Sequence, residues 1–418
     1  MKRLFLAASS ILCICLTSAL ADESPGQFQW TNGSEWGGQT LVAPRAVFCS
    51  TVPTVKLQTA APPKARVLYG AIPAGDKKSA VKLGLALVRV PGQPTRVYLD
   101  ANNDRIVTEA EGRDLKPNAV PLALCRGKHS TALKVDFMTK SRQRIAGPVA
   151  VWSGSVPTVL FFTWQGFLRG KLSIEGQPRT AFLVDGNANG TFSDSDFDQL
   201  WIDLNGDGRL DIVNEEFPVA PVQRLGEQVY NLSLAPGGSG SSYQVRLRRI
   251  EGGLGKAKVV VDERPGTAVK DLALTLISQA GDVASAQTVG EEFEIPTGKY
   301  HISSLTFEMT DQAARPWTYS FSNWVDSKED KDYPVTIDRG AAADVMPFRN
   351  LTFDAKVEGE RKPGGTLRIE LSAKSEMNLE LTNTVQEGAN RYGTADYARM
   401  QLVNPSGKTV ATASSGFS

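Results

Sequence analysis

Three stretches of this chain alternate short oxygen-bearing side chains in a way that suits a hard divalent cation. Calcium takes six to eight oxygens. A tight loop supplies them from side chains at positions 1, 3 and 5, a carbonyl at position 7 and further oxygens at 9 and 12, with glycine at 6 for the sharp turn. One stretch reads Asp203-Leu-Asn205-Gly-Asp207-Gly208-Arg209-Leu-Asp211, followed by Ile-Val-Asn214-Glu215. It fills positions 1, 3, 5, 6 and 9, with the Arg209 carbonyl at 7. Position 12 is Asn214, and Glu215 comes one step late. A second reads Asp185-Gly-Asn187-Ala-Asn189-Gly190-Thr191-Phe-Ser193-Asp194-Ser195-Asp196. It fits at 1, 3, 5, 6, 9 and 12, with the Thr191 carbonyl at 7. Its two asparagines lower its charge, so weaker binding is expected here than in the 203 loop. The third reads Asp100-Ala-Asn102-Asn103-Asp104-Arg105-Ile-Val-Thr108-Glu-Ala-Glu111. Its oxygens are well spaced and Glu111 stands at position 12. Arg105 occupies the place where a positive φ favours glycine, so this loop reads as either a working site or a degenerate one.

Three alternate Asp or Asn residues followed by glycine arise by chance on the order of 0.04 times in a chain of this size. Two copies eighteen residues apart in sequence therefore carry a signal. The competing reading is a solvated acidic turn cluster, because Asp, Asn and Gly favour turns anyway. Residues 185–216 hold nine acids and one base, Arg209. They are interleaved with Phe192, Phe197, Trp201 and Ile202, and Phe217 follows. That much negative charge held among apolar residues calls for a counterion.

The elements that must position these loops read as strands. Short or alternating apolar runs recur at 81–90, 96–99, 156–163, 180–184, 199–202, 243–249, 256–261 and 272–277. Further runs lie at 366–371, 379–381 and 398–403. Stretches with a 3.6-residue period are scarce. The fold class expected is mainly β and multidomain: antiparallel sheets and β-sandwiches with calcium-binding loops between strands. Breaks fall at 60–63, 236–242, 264–266 and 362–365. A weak internal repeat joins Leu83–Val88, Gly92-Gln93-Pro94 and Arg96–Asp100 to Gly170–Ile174, Gly176-Gln177-Pro178 and Thr180–Asp185. Each copy is a strand, a turn, a second strand and an Asp-led loop. The expected division is a leader over 1–21, an N-terminal segment over 22–60, one β repeat over 61–150 and a second over 151–262. β-Sandwiches follow over 263–350 and 351–418, the last one read as a complete module or the start of a longer one.

The leader reading rests on Lys2 and Arg3, the apolar run 4–16, and Ala19-Leu20-Ala21 as a small-x-small cleavage site. The alternative, a membrane anchor, meets a run that is short for a span. Export to a secreted, periplasmic or cell-surface location follows. Cys49 and Cys125 lie beyond the leader, and they read as either one disulfide, expected in an oxidising compartment, or two buried free thiols. The whole chain has 418 residues and a formal net charge of +1. That balance gives no argument for nucleic acid or an anionic membrane.

Catalytic motifs are scarce. No Gly-x-Ser-x-Gly elbow, Walker loop, Rossmann glycine set or His-Glu-x-x-His occurs. The only histidines are His129 and His301. A glycosidase needs just two carboxylates and escapes this test. Trp152, Trp164, Trp317 and Trp324 are either core residues or platforms for sugar stacking.

The paired loops resemble the Asp-x-Asn-x-Asp-Gly repeats of EF-hand-like, dockerin and thrombospondin type 3 calcium modules. The resemblance implies calcium held by Asp185, Asn187, Asn189, Asp203, Asn205, Asp207 and Asp211. An EF-hand needs flanking helices, whereas strands are expected here. The hairpin calcium loops of integrin-type propeller repeats are closer. A second likeness covers 265–345. Gly290-Glu-Glu-Phe293-Glu-Ile295-Pro296-Thr-Gly298-Lys-Tyr300-His-Ile302 is similar to a signature of carboxypeptidase-regulatory-like and collagen-adhesin B-type sandwiches. Its expected form is a hairpin turning at 296–298. The function expected is that of an exported, non-catalytic calcium-binding protein with a structural or adhesive role. Its partners would be calcium and an extracellular protein or glycan. The alternative is an extracellular hydrolase, such as a glycosidase, or its carbohydrate-binding accessory part.

Overall fold

The computed structural model describes residues 25–53, 58–59, 64–75, 80–139, 144–194, 197–211, 213–237, 242–261, 269–279, 283–287, 289–310, 316–323, 333–359, 367–386, 398–404 and 406–415. The leader, Asp196, Trp324 and most of the breaks named above lie outside them. The described chain is almost entirely strand, with two short 3-10 turns and no α-helix among the described residues. The class is mainly β, as the alternating sequence pattern requires. No described helix is long and apolar enough to cross a membrane.

One antiparallel sheet of eight strands carries two of the three loops. Its order is Glu216–Pro218, Gln199–Ile202, Gln177–Val184, Gly166–Ile174, Gly26–Asn32, Ser242–Arg249, Gln228–Pro236 and Val222–Leu225. Period-two alternation gives this sheet two apolar faces. Ala181, Leu183, Leu200, Ile202 and Phe217 pack on one side with Phe28 and Val245. Phe182, Val184, Trp201 and Phe167 pack on the other, with Leu41 and Leu210. The short hairpin of Glu35–Trp36 and Gln39–Thr40 covers that second face, where the Trp36 ring lies 4.4 Å from Phe182.

The third loop belongs to a four-stranded sheet ordered Gly112–Asp114, Arg96–Leu99, Val81–Arg89 and Arg66–Ala74. This sheet shares a core with a five-stranded sheet that includes His129–Met138, Arg144–Ser153 and Val159–Trp164. In the second half, Leu254–Val259, Glu292–Pro296 and Ala343–Val345 form a small sheet over a larger one built on Val269–Ser278 and Gly298–Thr310. Val259, Phe293, Ile295 and Val345 meet Leu272, Leu274, Ile302 and Leu305 between them, which makes a sandwich. The strands Thr352–Gly359, Leu367–Lys374 and Leu379–Gln386 continue the larger sheet.

The two segments read as repeats are alike in topology and differ in their turns. Leu87 pairs with Val97 in the first and Leu168 with Leu183 in the second. In each, the strand after the Asp-led loop returns to pair with the strand before it, Gly112 with Tyr98 and Ile202 with Ala181. The second copy turns over two residues, Glu175 at φ 52 and Gly176 at φ 77, the left-handed pair a tight hairpin needs. The first turns through Pro91 and Gly92, with Gln93 N–H on Val90 O at 3.1 Å, and has a wider loop. The shared Gly-Gln-Pro letters therefore sit in a loop in one copy and partly in a strand in the other.

Several expectations need correction. Cys49 and Cys125 are free, and they pack into separate core clusters. Phe293, Ile295, Tyr300 and Ile302 all point into the core as expected. They do not form a hairpin, however. Glu292–Pro296 pairs with Leu254–Val259, whereas Gly298–Thr310 pairs with Val269–Ser278, so the chain crosses from one sheet to the other at 297. Trp152, Trp164 and Trp317 are buried and offer no sugar platform. The strand expected at 156–163 begins at Val159.

Burial pushes both thiols up to about 11, against weaker pulls from Arg89 on Cys49 and Lys128 on Cys125. At pH 8 a thiol-specific disulfide reagent should therefore label them roughly a hundredfold more slowly in the folded protein than in denaturant. Equal rates would place them at the surface. Their raised folded values also mean that the unfolded chain sheds these protons first. Their stabilising contribution is complete below pH 9 and is lost as the pH rises towards 11.

Candidate metal centre

Each of the three loops begins one residue after a strand ends: Asp100 after Leu99, Asp185 after Val184 and Asp203 after Ile202. The strand geometry thus aims each opening carboxylate into its own loop. The three loops then follow one plan. The carboxylate at position 1 accepts the N–H of position 6: Asp100 Oδ2 from Arg105 at 3.2 Å, Asp185 Oδ2 from Gly190 at 2.6 Å, and Asp203 Oδ2 from Gly208 at 3.3 Å. The amide oxygen at position 3 accepts the N–H of position 5, at 3.1 Å for Asn102 and Asn187 and 2.8 Å for Asn205. The oxygen at position 5 accepts the N–H of position 7, at 2.8 Å for Asp104 and 2.7 Å for Asn189 and Asp207.

These bonds wind the backbone left-handed at positions 4 and 6 of every loop. The φ values are 59 and 71 at Asn103 and Arg105, 54 and 80 at Ala188 and Gly190, and 77 at both Gly206 and Gly208. Glycine suits such a place. At Gly190 it is needed twice over, since a Cβ there would come within 2.7 Å of Ile145 and Trp164. Arg105 adopts the same conformation without being glycine, and its guanidinium is held outside the loop by Lys82 O at 3.0 Å.

A closing carboxylate completes each loop, and it stands one residue before the returning strand. Glu111 precedes Gly112–Asp114, Asp198 precedes Gln199–Ile202 and Glu215 precedes Glu216–Pro218. One oxygen of each takes the N–H of position 2: Ala101 at 3.3 Å, Gly186 at 3.2 Å and Leu204 at 2.8 Å. The other takes an N–H at position 9 or 10: Thr108 at 2.8 Å, Asp194 at 2.7 Å and Asp211 at 3.1 Å. The spacing rule identified Glu111. It named Asp196, outside the described residues, where Asp198 closes the loop. At 203 it named Asn214, whose amide donates to Asp211 Oδ2 at 2.9 Å, while Glu215 closes.

The other residues named from sequence differ in how far they join this frame. Thr191 is buried and donates its hydroxyl to Asn189 Oδ1 at 2.7 Å. Ser193 is exposed. Thr108 Oγ1 bonds Glu111 at 3.0 Å. Asp211 Oδ1 caps Val213 N–H at 2.7 Å, and Arg209 is exposed.

Burial dominates the electrostatics of the opening and closing acids whose pKa is displaced. Burial raises the pKa of Asp185, against several backbone N–H groups that favour the anion. Burial raises Asp198 too, and the Asp185 charge raises it further. Glu215 is raised by burial first, with a like-charge contribution from Asp203. Asp100 is likewise raised by burial, opposed by the N–H groups of Arg105 and Asp104.

Two opening carboxylates each keep one buried oxygen without a hydrogen-bond partner. Asp203 is 6% exposed and its Oδ1 is buried with no hydrogen-bond partner. Asp100 is 0% exposed and its Oδ1 is in the same condition. Leaving a buried acceptor unmet costs about 1–3 kcal/mol, and more when it is charged. A hard cation satisfies such an oxygen without needing a donor, so the residues present fit one. Among the described residues no group of three His, Cys, Asp or Glu side chains gathers as a metal site. An ion here would lean on amide and backbone carbonyl oxygens as much as on carboxylates, which is calcium chemistry rather than zinc chemistry.

The loops are also tied into the fold. Gly75 donates to Asn189 O at 2.8 Å, and Ala188 joins the core cluster that also holds Trp164. Leu210 donates to Gly37 O at 3.0 Å, under the covering hairpin. Gln287, from the second half, donates Nε2 to Asn214 O at 2.6 Å and Val213 O at 3.3 Å. Comparison with protein-family models, curated proteins and solved structures finds no match, so the residues alone carry the argument.

Proposed function

We propose that this is an exported, non-catalytic protein that binds calcium in the 185 and 203 loops and works as an extracellular structural or adhesion module. The observation that carries the reading is the buried, unpartnered Asp203 Oδ1 inside a loop of alternating oxygens. The carboxyls of Asp185 and Asp198, buried together and both pushed towards the neutral form, support it from the second loop. The proposed organisation is a leader over 1–21, a segment over 22–60, repeats over 61–150 and 151–262, and sandwich parts over 263–350 and 351–418. Calcium would be held by Asp203, Asn205, Asp207, the Arg209 carbonyl and Asp211. At 185 it would be held by Asp185, Asn187, Asn189 and the Thr191 carbonyl, with Ser193 and Asp196 as further donors. Glu215 and Asp198 would close the two shells. Bound calcium would neutralise the loops and stiffen the sheet that carries both.

Calorimetric titration of chelated protein tests this. At least one calcium site is expected, the tighter one in the 203 loop, and Asp203→Ala with Asp207→Ala should abolish it. No heat and no metal in the purified protein would refute the reading. Panels of glycoside, ester and peptide substrates should show no turnover above background. Turnover lost on mutating one carboxylate outside the loops would make the protein a hydrolase instead.

A further inference from the structure

We propose that the loop 100–111 is a third divalent-cation site, held weaker than the other two by Arg105. The assignment borrows its chemistry from the calcium reading of the 185 and 203 loops, but it stands on its own observation. Asp100 is wholly buried. One of its oxygens bonds the Arg105 N–H inside the loop, so the carboxylate lies within the ring of residues 100–105. Its other oxygen, Oδ1, is buried with no hydrogen-bond partner of normal geometry. A second oxygen of the same loop, Asn103 Oδ1, is buried and unpartnered as well.

Of the two neighbouring acids, one is engaged elsewhere and the other belongs to the loop. Glu109 is drawn off by Arg96 at 2.6 Å and by the Tyr98 hydroxyl at 2.9 Å. Glu111 closes the loop through Ala101 and Thr108. Asp100, Asn102, Asp104 and Glu111 therefore form the donor set, with Thr108 alongside. The exposed Arg105 stands where both counterparts have glycine. It adopts the left-handed conformation at some cost and brings a positive charge to the rim. Both effects weaken cation binding and leave the fold of the loop unchanged.

The test is the number and strength of calcium sites in the chelated full chain, read by calorimetry. Three ions per chain are expected. Asp100→Asn should leave two, with their affinities changed by less than about twofold. Arg105→Gly should tighten the weakest site on the order of tenfold. Two ions in the wild type, or a count unmoved by Asp100→Asn, would overturn the third site. If Asp100→Asn fails to fold, Asp104→Asn at an exposed position decides: a lost or weakened site supports the proposal, and an unchanged one overturns it. A chain that binds a single ion, lost with Asp100→Asn, would uphold this site and refute the calcium reading of the other two loops.

Discussion

Calcium at one hundred times its dissociation constant should raise the unfolding free energy by about 2.7 kcal/mol for each occupied loop. The gain comes from mass action, because the alternating oxygens converge only in the folded chain. Its location follows from the cores. The 185 and 203 loops are rooted in the eight-stranded sheet, with Ala188, Phe192 and Leu210 packed into three different clusters of the first half. The sandwich of the second half has its own cluster. Heating in chelator should therefore lower one transition and leave the other nearly unchanged. Asp203→Ala with Asp207→Ala should remove one increment and spare the rest. Equal shifts in both transitions, or none, would mean that the loops hold no ion.

Replacing Asp198 by Asn should change sign with calcium. In chelator the wild type must keep Asp185 and Asp198 buried together, and both are pushed towards the neutral form. Removing one of the two charges should stabilise the chelated protein by on the order of 2 kcal/mol at neutral pH. With saturating calcium the same substitution should destabilise, since the 185 loop loses its closing carboxylate. The pH dependence follows. A carboxyl whose folded pKa is raised contributes stability at low pH that is lost as the pH rises. The chelated wild type should thus gain stability between neutral pH and about pH 5, and the variant should gain less. Thermal melts of both proteins in chelator and in calcium settle the point. A variant destabilised under all conditions would show that Asp198 serves only as a hydrogen-bond acceptor.

Much of this arrangement was legible in the sequence because short-range rules govern it. Short apolar runs placed the strands 180–184 and 199–202, and Asx spacing placed the turns between them. The closing acids were harder to read. Counting from the opening Asp puts them at position 12, but the loops differ in length and the true closers fall at 12, 14 and 13. Counting back from the returning strand finds all three, because the backbone groups they bond are fixed by the strand pair. What the sequence left undecided depends on distant partners. Phe293 and Tyr300 show which residues face inward, but nothing local says that their strands belong to different sheets. Cys49 and Cys125 likewise carry no local mark of the separate clusters that keep them apart.

The first strand of the eight-stranded sheet has a consequence for biosynthesis. Gly26–Asn32 lies between Gly166–Ile174 and Ser242–Arg249, with Gln29 opposite Arg169 and Phe28 opposite Tyr243. It leaves the ribosome long before either neighbour. At ~5–20 residues per second the wait is on the order of ten seconds or more. Throughout that time Phe28 and Trp30 sit on a segment with free backbone donors and acceptors on both sides, the kind of edge that recruits other chains. The sheet that carries two of the ion loops can close only after residue 249 has been made. Its assembly is thus a late event, and the nascent chain must be kept from its neighbours until then.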